Sequence, residues 1–270
     1  MCRKGIRKKL KIAIAILVGV YLILGASLYF YQEKILFLPR PLPNDYSFEF
    51  SYPFEEVFLK TDGGKINMIH FKTEEPKGVV LYFNGNSRNL ASWGRRAQFL
   101  VEKQYDVVVS DYRGFGKSKG VRSEAAFYSD AQYCYNFLKE RYDEGNISVY
   151  GRSLGTGIAT YVASNNNPKQ LVLETPYYSI PDVGRSRFPI FPLEWLAKYK
   201  FQSYKYIQQV NCPITIFHGT DDDVVPYASG EKLFEVAPKT ISEFISIKGG
   251  RHNNLRRYDE YQQKIETLFR

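Results

Sequence analysis

An α/β fold with a mostly parallel central sheet flanked by helices is predicted by two features of this 270-residue chain. From residue 57 onward, short apolar runs alternate with stretches of helical periodicity, which is the pattern of a parallel sheet covered on both faces. In the middle of that alternation, Gly151-Arg152-Ser153-Leu154-Gly155 stands directly between the apolar run 147–150 and the helical pattern 156–163. Glycines on both sides of a serine let a strand reverse into a helix with no intervening loop. That places the hydroxyl at a strained apex beyond the sheet edge, in the G-x-S-x-G arrangement that presents a nucleophile.

The elements follow in order. Residues 12–32 carry no charge, and six of the nine net positive charges (Arg3, Lys4, Arg7, Lys8, Lys9 and Lys11) precede them. Twenty-one helical residues extend about 30 Å, the thickness of a bilayer core. Residues 1–32 are therefore expected to be a cytoplasmic basic segment and a transmembrane signal anchor. The rest of the chain would lie on the extracytoplasmic side by the positive-inside rule. A cleaved signal peptide is the competing reading, but the apolar stretch is long and no Ala-x-Ala site follows it. Residues 33–54 form a connector rich in Pro and aromatics. The runs 57–60 and 65–71 read as a hairpin around Asp62-Gly63-Gly64. Strands are expected at 78–83, 106–110, 147–150, 171–173, 214–217 and 244–247. Helices are expected at 90–103, 124–142 with Ser123 as cap, 154–164, 231–236 and 258–268. Residues 177–210, between the sixth and seventh strands, are too apolar for a disordered loop. They are expected to form a small helical cap whose aromatics cover the site.

Charge and cysteines exclude several classes. Once the N-terminal cluster is set aside, the remaining charge is ordinary for a soluble domain, with no basic stripe for nucleic acid. The three cysteines form no C-x-x-C motif, so no metal or redox site is expected; Cys134 and Cys212 either pair or stay as free thiols.

A second G-x-S-x-G, Gly116-Lys117-Ser118-Lys119-Gly120, lies in a loop well past its strand, so Ser118 is expected to be a loop serine. The Gly-Lys-Ser within it lacks the first glycine of a phosphate-binding loop, because Asp111 stands there.

A serine hydroxyl needs a base. Of the three histidines, His70 lies in the N-terminal hairpin, whereas His218 and His252 follow strands that end on the same sheet edge as Ser153. On an elbow of this kind the order along the chain is Ser, acid, His, which favours His252, with an acid among Asp221, Asp222 and Asp223 and with Glu174 in reserve. Three adjacent carboxylates also suggest a cation, but the glycine and terminal Glu of a calcium loop are missing. Donors for a developing oxyanion are expected from the backbone N–H groups of Leu154 and of Asn86, in the loop Asn84-Gly85-Asn86.

Together these residues resemble the α/β-hydrolase superfamily, and most closely its membrane-anchored α/β-hydrolase-domain proteins, related to prolyl-aminopeptidase-like serine hydrolases. The resemblance covers residues 30–270 and includes Asp111-Tyr112-Arg113-Gly114-Phe115-Gly116, the elbow, His218-Gly219-Thr220-Asp221-Asp222-Asp223-Val224-Val225-Pro226, and Gly250-Arg251-His252-Asn253. It implies the α/β-hydrolase fold over residues 33–270, with Ser153, Asp222 and His252 as catalytic residues. It also implies hydrolysis of an ester, thioester or amide, a small-molecule acyl substrate and no cofactor. One departure stands out: relatives usually carry His-Gly-Asn where this chain has Asn84-Gly85-Asn86.

Overall fold

The computed structural model describes the backbone of residues 2–270 and the side chains from Ile6. Helix α1, Cys2–Leu36, leads into a sheet of eight main strands. These are β1 (Phe54–Thr61), β2 (Gly64–Phe71), β3 (Val79–Phe83), β4 (Asp106–Ser110), β5 (Ile147–Arg152), β6 (Gln170–Glu174), β7 (Ile214–Gly219) and β8 (Ser242–Ile247). Their spatial order is β8-β7-β6-β5-β3-β4-β2-β1. β1, β2 and β4 pair antiparallel, and all other neighbours pair parallel. The order reverses where β3 lies between β4 and β5, with Phe83 beside Gly151. Crevices beyond the strand C-termini at such a reversal are where open α/β sheets bind ligands.

Strand residues alternate between two cores. Val79, Leu81 and Phe83 face the cluster built with α3 (Glu124–Lys139) and α4 (Leu154–Ser164). Val80 and Tyr82 face the cluster built with α2 (Leu90–Val101) and α9 (Asp259–Leu268). Each fully buried side chain of this size contributes about 1.5–3 kcal/mol, which is why β3 and the middle of β4, Val107–Val109, read as apolar runs. Ser123 caps its helix as the sequence suggests, accepting from the Ala126 N–H at 3.1 Å, and Asn89 caps α2 by accepting from the Ala91 N–H at 3.1 Å.

Three expectations change. α1 does not stop at residue 32 but continues to Leu36, because its last turn is docked on the domain. Gln32 accepts from the Lys198 N–H at 2.7 Å, Glu33 bonds the Tyr199 hydroxyl at 2.9 Å and pairs with Arg122, and Phe37 is buried against Phe127 and Tyr199. The segment from Ile6 to Leu36 has a mean hydropathy of 2.4 over its apolar window and is almost wholly exposed, long and apolar enough to cross a membrane.

The region between β6 and β7 forms the expected small helical cap, but its aromatics lie elsewhere than expected. It holds three short helices, α5 (Ile180–Arg185), α6 (Leu193–Leu196) and α7 (Ser203–Ile207). Most of its aromatics pack down onto the domain and not over the serine. Tyr177, Tyr199 and Phe201 are core residues, and Tyr206 packs on Tyr128 and Tyr161. The apolar faces of α3 and α4 need covering, and these rings cover them. α8 (Tyr227–Val236) follows β7 and begins earlier than expected, just after Pro226.

Gly155 sits where α4 crosses β3, and a Cβ there would collide with the backbone carbonyls of Phe83 and Asn84. Gly155→Ala is expected to cost about 3 kcal/mol, seen as a fall in melting temperature of roughly 6–12 °C. An unchanged melting curve would contradict this close approach.

Candidate active site

The chain passes from β5 into α4 through a single residue, Ser153, with φ 51° and ψ −120°. A non-glycine residue in this region is strained by about 1–3 kcal/mol and persists only where its surroundings hold it. Here the Ser153 N–H donates to the Glu174 carbonyl at 2.9 Å, and Gly151 lets α4 approach so closely that a Cβ would lie 2.7 Å from that of Ala159.

The Ser153 Oγ lies 3.0 Å from His252 Nε2, and His252 Nδ1 lies 2.8 Å from Asp222 Oδ2. A carboxylate can only accept, so Nδ1 carries the proton and Nε2 turns its lone pair to the serine hydroxyl. Of the three adjacent aspartates, Asp221 and Asp223 are exposed, while the Asp222 side chain is fully buried. Its Oδ1 accepts from the N–H groups of Val224 and Val225, each at 2.9 Å. Burial would raise its pKa, but hydrogen bonds from His218, from His252 and from the Val225 N–H outweigh burial and hold the carboxyl well below the usual range.

The other candidates lie elsewhere. His218 is fully buried, donates from Nε2 to the Val225 carbonyl at 3.1 Å and lies 3.5 Å from Asp222 Oδ2, so it braces the acid's loop. His70 bonds Tyr142 at 3.0 Å in the first hairpin. Ser118 is buried and accepts from the Asn67 N–H at 2.8 Å, tying its loop to β2. Cys134 and Cys212 are both free and buried, which pushes each thiol up to about 12.

Glu174, the reserve acid, is spent on another task. It pairs with Arg152 at 2.7 Å and accepts from the Tyr150 hydroxyl at 2.5 Å. Burial would raise its carboxyl, but Arg152 and Arg256 hold it at about 2. Arg152 also donates to the His252 carbonyl at 2.9 Å and to Asn253 Oδ1 at 3.0 Å. The residue before the serine therefore ties the histidine loop to the nucleophile's strand. The motif reads this position only as a variable one, so sequence reasoning missed it.

On the other side of Ser153, a Cβ on Gly85 would lie 3.6 Å from the serine Cβ. The backbone N–H groups of Leu154 and Asn86 find no acceptor among the described residues. Asn86 itself is fixed by α1, since its Nδ2 donates to the Leu36 carbonyl at 2.7 Å and its own carbonyl accepts from the Leu38 N–H at 2.8 Å. Asn84 donates to the Ser110 carbonyl at 3.2 Å and lies 3.5 Å from Asp111 Oδ1. Leu36 also walls an apolar groove between α1 and the cap, with Leu28, Ile35, Ile180, Leu193 and Leu196.

Comparison with known proteins agrees with this architecture. The family described as serine aminopeptidase, S33, matches residues 74–206, a stretch that includes Ser153 and ends before Asp222 and His252. Lysophosphatidylserine lipase ABHD12 of Danio rerio is 32% identical over 192 residues, covering 64% of this chain and 50% of the lipase. The chain thus spans about half the length of that relative. An uncharacterized protein of Acanthamoeba polyphaga mimivirus is 30% identical over 237 residues, 79% of this chain and 80% of that protein. Among solved structures, a Pyrococcus furiosus esterase superposes with a TM-score of 0.68 at 18% identity, over 86% of this chain and 96% of the esterase. Acetyl xylan esterase 1 of a Thermoanaerobacterium species superposes with a TM-score of 0.65 at 17% identity, over 83% and 86% of the two chains.

Asp111 gives a pH signature. It is fully buried, and burial pushes its carboxyl up to about 8 against the pull of the Leu90 N–H and the Asn84 amide. An unfolded aspartate titrates near about 4. Between these values the folded protein keeps a proton that the unfolded chain has lost, so stability falls as pH rises from about 4 to about 8 and levels above. Asp111→Asn is expected to flatten this part of the curve, measured as urea midpoints from about pH 5 to about pH 9. Parallel curves for the two proteins would contradict it.

Proposed function

The chain belongs to the α/β-hydrolase superfamily, and on that premise we propose that it is a membrane-anchored serine hydrolase that cleaves a carboxylic ester through an acyl-serine intermediate. The observation that carries the reading is the hydrogen-bonded chain Ser153–His252–Asp222 on a strained strand-to-helix turn.

In this mechanism Ser153 Oγ attacks the acyl carbon while His252 Nε2 takes its proton. The same nitrogen then gives that proton to the departing alcohol, and a water repeats the sequence to release the acid. Asp222 holds the imidazole in the required tautomer and stabilises the imidazolium. The N–H groups of Leu154 and Asn86 receive the oxyanion. The strained backbone aims the hydroxyl, and Arg152 holds the histidine loop in place.

For the substrate, relatives named as a lysophosphatidylserine lipase and as esterases support an oxygen ester. The apolar helix α1, which would hold the domain beside lipid, supports an apolar acyl group of short to medium length. The aminopeptidase reading needs an acid to hold a substrate amine. Glu174, at the end of β6, is already bound by Arg152 and Tyr150. The six basic residues before the apolar helix support a cytoplasmic N-terminus and an extracytoplasmic hydrolase domain.

Three measurements test this reading. Ser153→Ala and His252→Ala are each expected to lower kcat/KM by about 10⁴-fold or more, and Asp222→Asn to leave slightly more activity. Ser118→Ala should retain both turnover and fluorophosphonate labelling; a labelled Ser153→Ala would overturn the assignment. Across p-nitrophenyl esters, kcat/KM is expected to rise by up to about fourfold per methylene from acetate toward octanoate, the worth of about 0.8 kcal/mol per buried CH₂. A flat or falling series alongside strong cleavage of aminoacyl amides would favour a peptidase instead. Protease added to intact cells is expected to remove the hydrolase domain, and its protection would reverse the topology.

A further inference from the structure

The cap does not end at the hydrolase domain. Its tip extends down the side of α1. The Tyr21 ring stacks on Phe191 with centroids 4.9 Å apart, and its hydroxyl donates to the Ile190 carbonyl at 3.1 Å. Gly25 faces the same phenylalanine ring. The aromatics Tyr29, Phe30 and Tyr31, followed by the charges Glu33 and Lys34, have the composition of a membrane–water boundary. Tyr21 precedes Tyr29 by eight residues, so the tip reaches about 12 Å past that boundary at 1.5 Å per residue.

Three properties of the tip match a hydrocarbon environment. First, its outward side chains are apolar: Trp195 is 87% exposed and Ile190 67%. In water, such a patch gains nothing from being solvent-facing. Second, apart from the Ile190 and Glu194 N–H groups, its backbone donors are satisfied internally or absent, which leaves few polar groups facing lipid. Phe188 N–H bonds Gly184, Phe191 bonds Phe188, Leu193 bonds Phe191, and Trp195 and Leu196 bond Pro192, while Pro189 and Pro192 have no N–H. Third, charge is managed. Glu194 is the sole acid between residues 188 and 196 and is paired with Arg185 at 2.8 Å. Lys198 lies over the Tyr29 ring at 4.5 Å, at the level of the boundary, where a lysine stem can remain in apolar surroundings with its ammonium in water.

We propose that residues 188–196 are immersed in the bilayer leaflet from which α1 emerges, so that the cap is a second membrane contact. The occupant of this surface is the acyl-chain region of the lipid. The groove between α1 and the cap then opens onto lipid chains, and its Leu36 wall carries the carbonyl that fixes Asn86. The proposal rests on α1 spanning the membrane and is independent of the hydrolytic chemistry.

The chain's two tryptophans allow a direct test, because Trp93 is buried in the domain and Trp195 is exposed on the cap, next to Leu196, whose carbonyl accepts from Gln32 at 3.2 Å. The full chain is placed in phosphatidylcholine nanodiscs with plain or acyl-brominated lipid, and the Trp195 signal is taken as wild type minus Trp195→Phe. Brominated lipid is expected to remove roughly half or more of that signal, as for apolar side chains seated 5–10 Å into the acyl boundary. The emission of the Trp195→Phe protein should change little. Entry into nanodiscs with Trp195 quenched by aqueous iodide and indifferent to bromine overturns the proposal while leaving α1 as a span. Failure to enter nanodiscs overturns both.

Discussion

The structure depends on one constraint: β5 must reverse into α4 through a single residue, close enough to β3 for backbones to touch. Gly151 and Gly155 make that approach possible, because a Cβ at either would collide with α4 or with the β3 carbonyls. Ser153 absorbs the reversal at φ 51°. Once the turn is fixed, the sheet's order reversal brings the Asn84-Gly85-Asn86 loop to one side of the hydroxyl. The loops after β7 and β8 then bring Asp222 and His252 to the other. The site is thus assembled from the ends of four strands, and each depends on the sheet register for its reach.

The strands and helices of the sheet were legible in the sequence because burial imposes a period. Val79 to Phe83 and Val107 to Val109 are buried on both faces and are apolar throughout. Ser123 announces its helix because an orphan N–H needs an acceptor there. Positions without a periodic requirement were less legible. The extension of α1 to Leu36 rests on tertiary contacts of Gln32, Glu33 and Phe37, which leave no local signal. The aromatics of 177–210 could face either a substrate or the domain, and composition does not distinguish the two. Arg152 was hidden because its partner, Glu174, lies 22 residues away on the neighbouring strand.

The anchor helix and the site are physically continuous. The Leu36 carbonyl at the end of α1 takes the Asn86 amide, and Leu38–Pro39 pairs in parallel with Ser87–Arg88 just beyond it. The loop proposed to offer an oxyanion donor is therefore held by the end of the apolar helix α1. Breaking a buried pair by removing one partner costs about 3–5 kcal/mol, so the Arg152–Glu174 pair on the opposite side gives the histidine loop a comparably firm attachment. Between them, these two fixtures set the distance across which the acyl carbon must fit.

The central claim is that the acyl group is transferred to Ser153. The most direct measurement is intact-mass and peptide-mass analysis of the full chain, quenched in acid during turnover of a slowly deacylated ester. The account predicts a mass increase of one acyl group, confined to the peptide that contains Ser153 and lost in His252→Ala. An adduct on the peptide that contains Ser118, or turnover with no acyl-enzyme under conditions where deacylation limits the rate, would contradict it.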